Sequence, residues 1–143
     1  MAASALVDTG AILALLDRDD QWHQACVEAF GSVPFPLLTT DAVMTEVFHL
    51  AIRDFGRIEP AWEFFDSDTV ILAPITDSDL PSIRALMCRY HDHPMDFADA
   101  TLVHLANRES INLILTIDHN DFETYRFAGN KGFTLRPHRN AKR

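Results

Sequence analysis

The stretch Asn112-Leu113-Ile114-Leu115-Thr116-Ile117-Asp118 decides the fold. Its apolar run is too short for a helix and rich in residues that suit a strand buried on both faces, and it ends on a carboxylate. A second apolar run, Ser4 to Val7, ends the same way, on Asp8. Leu37 to Thr40 reads as a short strand, Thr69 to Ala73 as a buried one, and Phe133 to Leu135 as a weak last strand after the turn Gly129-Asn130-Lys131-Gly132. Helical patterns fill the intervals. Ala11 to Leu16 opens the first, and Asp19 or Asp20 can cap a second in which Trp22, Cys26 and Phe30 share a face. An amphipathic helix from Asp41 is stopped by Gly56, and Glu59 to Phe65 carries Pro60 in its first turn. Asp77 or Ser78 caps a helix running to about Tyr90, and Phe97 to Arg108 forms the last long one, with Ala98, Leu102, Leu105 and Ala106 on one side. Buried strands alternating with helices predict an α/β/α sandwich around a short, mostly parallel sheet of four or five strands.

The chain has 143 residues, room for one domain, and its 48% hydrophobic and 23% charged composition excludes wholesale disorder. No apolar run approaches the ~20 residues of a membrane span, and the first residues lack the basic and apolar regions of a signal peptide. Cys26 and Cys88 are too far apart for a metal knuckle or redox pair, and both read as core thiols beside apolar residues. The simplest expectation is a reduced, cytoplasmic protein without a membrane partner. Net charge is −9, but the five basic residues from Lys131 onward face no acid, so residues 1–130 carry −14. An acidic body is a poor generic nucleic-acid binder; it suits a cation site or a basic partner better.

In open parallel sheets, ligands bind beyond the carboxyl ends of the strands. Asp8 and Asp118 end two strands there, and if those strands are adjacent their side chains share one crevice. Glu46 lies early in the helix after the second strand; Asp96 and Asp99 stand at the start of the helix before the fourth. Two unit charges about 4 Å apart repel by roughly 4 kcal/mol at an effective dielectric near 20. Either the acids do not converge, or some are protonated, or a hard cation sits among them. Oxygen-only ligation favours Mg²⁺, with Mn²⁺ possible in its place. Each residue also has a plainer use. Asp8 could be a turn residue, Glu46 a solvated helix residue, and Asp96 serves first as an N-cap. Asp118 and Asp121 compete for one role, with Asp118 preferred. His91-Asp92-His93 reads as a hydrated loop, and Trp22, Trp62, Phe64 and Phe65 as packing. No Ser-His-Asp order, nucleophile elbow, P-loop or GxGxxG is present.

Four stretches taken together resemble a PIN-domain ribonuclease, and specifically a VapC-type toxin of a bacterial type II toxin–antitoxin system. They are Leu6 to Gly10 (LVDTG), Thr39 to Val47 (TTDAVMTEV), Met95 to Leu102 (MDFADATL) and Leu115 to Phe122 (LTIDHNDF), in the family's order over roughly residues 4–135. The resemblance implies a PIN-like three-layer fold over residues 1–136, followed by a basic tail at 137–143. It implies a Mg²⁺- or Mn²⁺-dependent endoribonuclease, a homodimer, and inhibition by a cognate antitoxin. By position, Asp8, Glu46, Asp99 and Asp118 are its catalytic, metal-binding acids; Asp96, Asp121, Thr9 and Thr116 are auxiliary. Gly10 stands where the family commonly has Ser or Asn.

On this reading RNA phosphodiester bonds are cut by metal-activated water, without a side-chain nucleophile. The acidic body suits an antitoxin with a basic inhibitory segment. RNA is left to few basic residues: Arg18, Arg53, Arg89 or the tail. The runner-up is a non-nuclease α/β signalling domain with a phosphoacceptor aspartate, or a metal-binding module with an acidic pocket.

Overall fold

Sheet order departs from chain order, and the departure creates the site. The computed structural model describes residues 3–141. Five parallel strands, β1 (Leu6–Val7), β2 (Leu37–Thr39), β3 (Val70–Leu72), β4 (Leu113–Leu115) and β5 (Thr134–Arg136), lie in the order β3-β2-β1-β4-β5. The chain winds outward from β1 to β3, then returns to the other side of β1 for β4 and β5. The switch point falls between β1 and β4, where Leu6 is level with Ile114 and Val7 with Leu115. The residues just past these two strands are therefore neighbours, the geometry in which open sheets form a crevice.

Seven α-helices among the described residues flank the sheet: α1 (Thr9–Leu16), α2 (His23–Gly31), α3 (Asp41–Phe55), α4 (Glu59–Asp66), α5 (Leu80–Arg89), α6 (Phe97–Glu109) and α7 (His119–Thr124). Two of them aim acids at the switch point, and their starts are fixed by side-chain caps. Thr40 Oγ1 accepts from the Val43 N–H at 3.4 Å, and an Asp96 carboxylate oxygen accepts from the Asp99 N–H at 2.8 Å. Buried Thr40 and Thr101 share a 2.9 Å hydroxyl–hydroxyl bond, which ties the entry of α3 to the first turns of α6. Gly56 ends α3 at φ 65°, a left-handed conformation that costs glycine little. Helix α6 is buried continuously from Ala98 to Ala106, more than the one-sided stripe expected of it. It is a core helix packed against both α3 and α5.

Several expectations need correction. The strand at Val70–Leu72 is an edge strand: Ile71 is 48% and Leu72 41% exposed, because nothing pairs beyond it. Neither Asp19 nor Asp20 caps α2, whose cap position is Trp22; Asp20 instead folds the turn before it, accepting from the Trp22 N–H at 2.7 Å. Helix α5 begins at Leu80 behind a 3₁₀ turn, Asp77–Asp79. Thr76 caps that turn and Asp79, rather than Asp77 or Ser78, holds the cap position of α5, its carboxylate accepting from the Thr76 N–H. Cys26 is buried, but Cys88 is exposed on the outer side of α5. Trp62 is also exposed, although it packs on Phe48.

Candidate active site

The carboxylates promised by the strand ends do meet. Asp8, Glu46, Asp96, Asp99 and Asp118, with Thr9 and Gly10, line one cleft of about 380 Å³ at the switch point. Asp8 is its buried floor. The Asp8 N–H continues the ladder to Leu115 O at 2.9 Å, and Thr116 Oγ1 donates to Asp8 Oδ2 at 3.0 Å. The same Thr116 oxygen accepts from the Asp118 N–H at 2.9 Å, so one hydroxyl sets both strand-end acids. Asp118 also caps α7, accepting from the Asp121 N–H at 3.4 Å.

Asp118 and Asp121 are partners rather than competitors. One carboxylate oxygen from each of Asp99, Asp118 and Asp121 lies within 4.8 Å of the others. Asp96 both caps α6 and lines the cleft, so its two readings coexist. Glu46 projects from the second turn of α3 to the same wall.

Two further side chains brace the acids. Buried Tyr125 donates its hydroxyl to Asp99 Oδ2 at 3.1 Å. His93 Nε2 lies 2.7 Å from Asp121 Oδ1, and its ring meets Tyr125 edge-on at 5.9 Å. The hydrated-loop reading of 91–93 therefore fails for His93, though His91 and Asp92 are exposed. Nothing in the spacing of His93 or Tyr125 pointed to acids 28 and 26 residues away. An aromatic just after the last acidic motif was the available hint for Tyr125.

Electrostatics follow from burial. Desolvation, with the charges of Asp118 and Glu46, raises the Asp8 carboxyl to about 7. Desolvation and the neighbouring Asp8 and Asp96 raise Asp99 to about 8, the Tyr125 bond only partly offsetting them. Asp118 is raised to about 6, by burial and then by Asp121. By itself the cleft thus retains protons near neutrality. The donor set is all oxygen, which fits a hard divalent cation. Thr9 adds a second mark: its Oγ1 is buried at the cleft with no partner among the described residues. Gly10 is explained by packing. A Cβ there would sit 2.8 Å from Ile117 Cγ1, so any larger residue would force that side chain to shift.

A parallel sheet with this switch point and an all-carboxylate crevice defines an α/β protein with a candidate hard-cation site, and the family model of the PIN domain matches residues 5–128. The chain belongs to the PIN domain family. It is 28% identical over 142 residues to Ribonuclease VapC26 of Mycobacterium tuberculosis, an alignment covering 92% of this chain and 99% of that one. Its fold is that of the crystal structure of Mycobacterium tuberculosis VapC20, a sarcin-ricin loop cleaving toxin. The TM-score is 0.75 at 22% identity, over 82% of this chain and 92% of the other.

Proposed function

We propose that this chain is a VapC-type endoribonuclease, the toxin of a toxin–antitoxin pair, and that Asp8, Glu46, Asp99 and Asp118 are its catalytic acids. The observation that carries the reading is their convergence on one cleft at the switch point. Kinship with Ribonuclease VapC26 supports it independently. Mg²⁺, or Mn²⁺, held there would supply an acidified water for in-line attack on the scissile phosphate and would offset charge on the leaving oxygen.

The chain's own part is to hold ligands still. Thr116 orients Asp8 and Asp118, Tyr125 orients Asp99, and His93 orients Asp121. Asp96 sets the start of α6, and Thr9 offers a free hydroxyl beside Asp8. The reading extends to a homodimer in the cytoplasm, a nuclease domain at 1–136 with a basic tail at 137–143, and an antitoxin whose basic segment enters the acidic cleft. No described helix is long and apolar enough to cross a membrane, consistent with that setting.

The test is cleavage of labelled RNA with and without Mg²⁺. Asp8→Asn and Asp99→Asn should each reduce it by at least about a hundredfold, the scale of losing a key electrostatic group. Undiminished metal-dependent cleavage by either variant would refute the assignment. Phosphorylation of the protein by a small phosphodonor, without RNA cleavage, would instead favour the signalling alternative.

A further inference from the structure

Away from the acidic cleft, one cavity collects the opposite charge. It encloses about 280 Å³ between α5, α6 and the turn after Tyr125. Arg89, Arg126, Asn107 and Ser82 stand around an apolar floor of Leu86 and Val103, and no carboxylate lines it. That composition is unexpected in a chain with 21 acids and 12 basic residues. Three other arginines pair with acids: Arg53 with Asp54, Arg108 with Asp79 and Glu109, and Arg139 with Glu123. Among the described residues, Arg89 and Arg126 form no ion pair, and neither do Arg18, Arg57, Arg84 and Arg136. What sets Arg89 and Arg126 apart is that they share one cavity.

The Arg126 guanidinium is held by backbone carbonyls, and that of Arg89 lies over a ring, so both keep their charge. Arg126 Nη1 donates to the carbonyl oxygens of Glu123 (2.6 Å), Tyr125 (2.9 Å) and Thr124 (3.3 Å), while its Nε and Nη2 make no bond among the described residues. The Arg89 guanidinium lies 5.2 Å from the centre of the Tyr90 ring, a cation–π distance. Fixed forks of this kind lose little freedom when they take up a phosphate.

A short run of bonds ties the cavity's lining to one of the acids. Tyr125 donates to Asp99, and the next residue, Arg126, donates its backbone N–H to the Tyr90 hydroxyl, on the ring that Arg89 covers.

We infer that this cavity holds a backbone phosphate of the RNA strand whose scissile bond lies in the acidic cleft, with Arg89 and Arg126 as donors. The inference rests on the ribonuclease reading above. It resolves how an acidic chain grips a polyanion: phosphate contacts fix the strand's register at a distance from the repelling acids. Asn107 and Ser82 add neutral donors suited to phosphate or ribose oxygens.

The test is the salt dependence of binding of a fluorescent single-stranded oligoribonucleotide to the full chain in Mg²⁺, in an Asp99→Asn background so that the strand persists. Arg89→Gln should make the slope of log affinity against log salt shallower by about 0.7, the value for one phosphate contact on a single strand. Arg84→Gln, on the same helix but lining a different groove, should leave it unchanged. Arg126→Lys should weaken binding while keeping the slope, because charge remains and the fork is lost. An unaltered slope in Arg89→Gln, with RNA still bound, would overturn the inference and leave the ribonuclease reading standing. Failure of the parent chain to bind RNA would sink both. A second arm titrates inorganic phosphate: saturable binding that Arg89→Gln abolishes, beside an unaltered RNA slope, would assign the cavity to a free anion instead.

Discussion

At the residue scale, the site is a set of buried acids whose charges the fold does not neutralise. Asp8 and Asp99, raised to about 7 and about 8 from an ordinary 3.8, hold protons in the folded chain that the unfolded chain releases. Between pH 4 and 8 the native state therefore binds more protons than the unfolded state, and the metal-free protein should lose stability as pH rises through that window. Asp99→Asn removes the ionisation and keeps an acceptor for Tyr125. In a chelating buffer at pH 8 it should melt at least ~3 °C above the parent, since about 1 kcal/mol moves a domain of this size by ~2–4 °C. At pH 4.5 the two should melt together. Scanning calorimetry at both pH values checks this, and a variant less stable than the parent at pH 8 would contradict it.

Gly10 belongs to the same scale. Alanine normally favours a helix over glycine, yet Gly10→Ala should destabilise by about 1–3 kcal/mol through overpacking against Ile117. Adding Ile117→Ala should recover part of that loss, a coupling readable by denaturant titration of the four proteins.

At the element scale, α5 and α6 are joined by a polar clasp outside the site. Asp79, buried at the start of α5, takes the Thr76 N–H at 2.8 Å, His104 Nε2 at 2.8 Å and Arg108 Nη1 at 3.2 Å. Those bonds, the Thr76 N–H foremost, hold its carboxyl well below the usual carboxylate range. A depressed carboxyl stabilises the fold above its unfolded value and loses that contribution as pH falls below it. Asp79→Ala should therefore lower the melting temperature at pH 7 by a few degrees, and the gap to the parent should close below pH 4. An equal gap at pH 7 and pH 3 would show that the carboxylate charge is not what holds the two helices.

The clasp also marks where sequence reasoning reaches its limit. The start of α6 was legible from Asp96, whose cap partner lies three residues on. Thr40 has the same spacing before α3 but reads as a strand end, and Thr76 was passed over although Asp79 answers it three residues later. What no local spacing shows is that Asp79 is also taken by residues 25 and 29 positions on, a tertiary choice. The same reason separates the acids from their supports. Asp8 and Asp118 announce themselves as strand ends, whereas Tyr125 and His93 gain meaning only once α6, α7 and the 91–93 loop are packed together. The edge position of β3 was likewise invisible, since Val70, Ile71 and Leu72 read the same whether one side or both are paired.

At the scale of the whole molecule, the net charge of −9 and the acidic switch-point cleft set the terms on which a polyanion can approach. Added salt weakens ordinary protein–RNA contacts because counterions released into a saltier solution gain less entropy. A divalent ion in the cleft acts in the opposite sense, because it cancels the charges nearest the scissile phosphate and lets Asp8 and Asp99 shed their protons. At constant ionic strength, RNA affinity should therefore rise several-fold as Mg²⁺ is titrated in, then level off. The rise should be larger at pH 8 than at pH 6, where protons already neutralise part of the cluster. A chain carrying Asp8→Asn and Asp99→Asn should behave differently on both counts. At pH 8 without metal it should bind RNA more tightly than the parent, having lost the negative charge that Asp8 and Asp99 carry there. At pH 6 the two should bind alike, and Mg²⁺ should add little to the variant. Fluorescence anisotropy with a non-hydrolysable RNA analogue measures all four conditions. If the parent's affinity fell with Mg²⁺ as it does with an equal ionic strength of K⁺, the acids would be acting only as diffuse surface charge, and the cleft would not be a cation site.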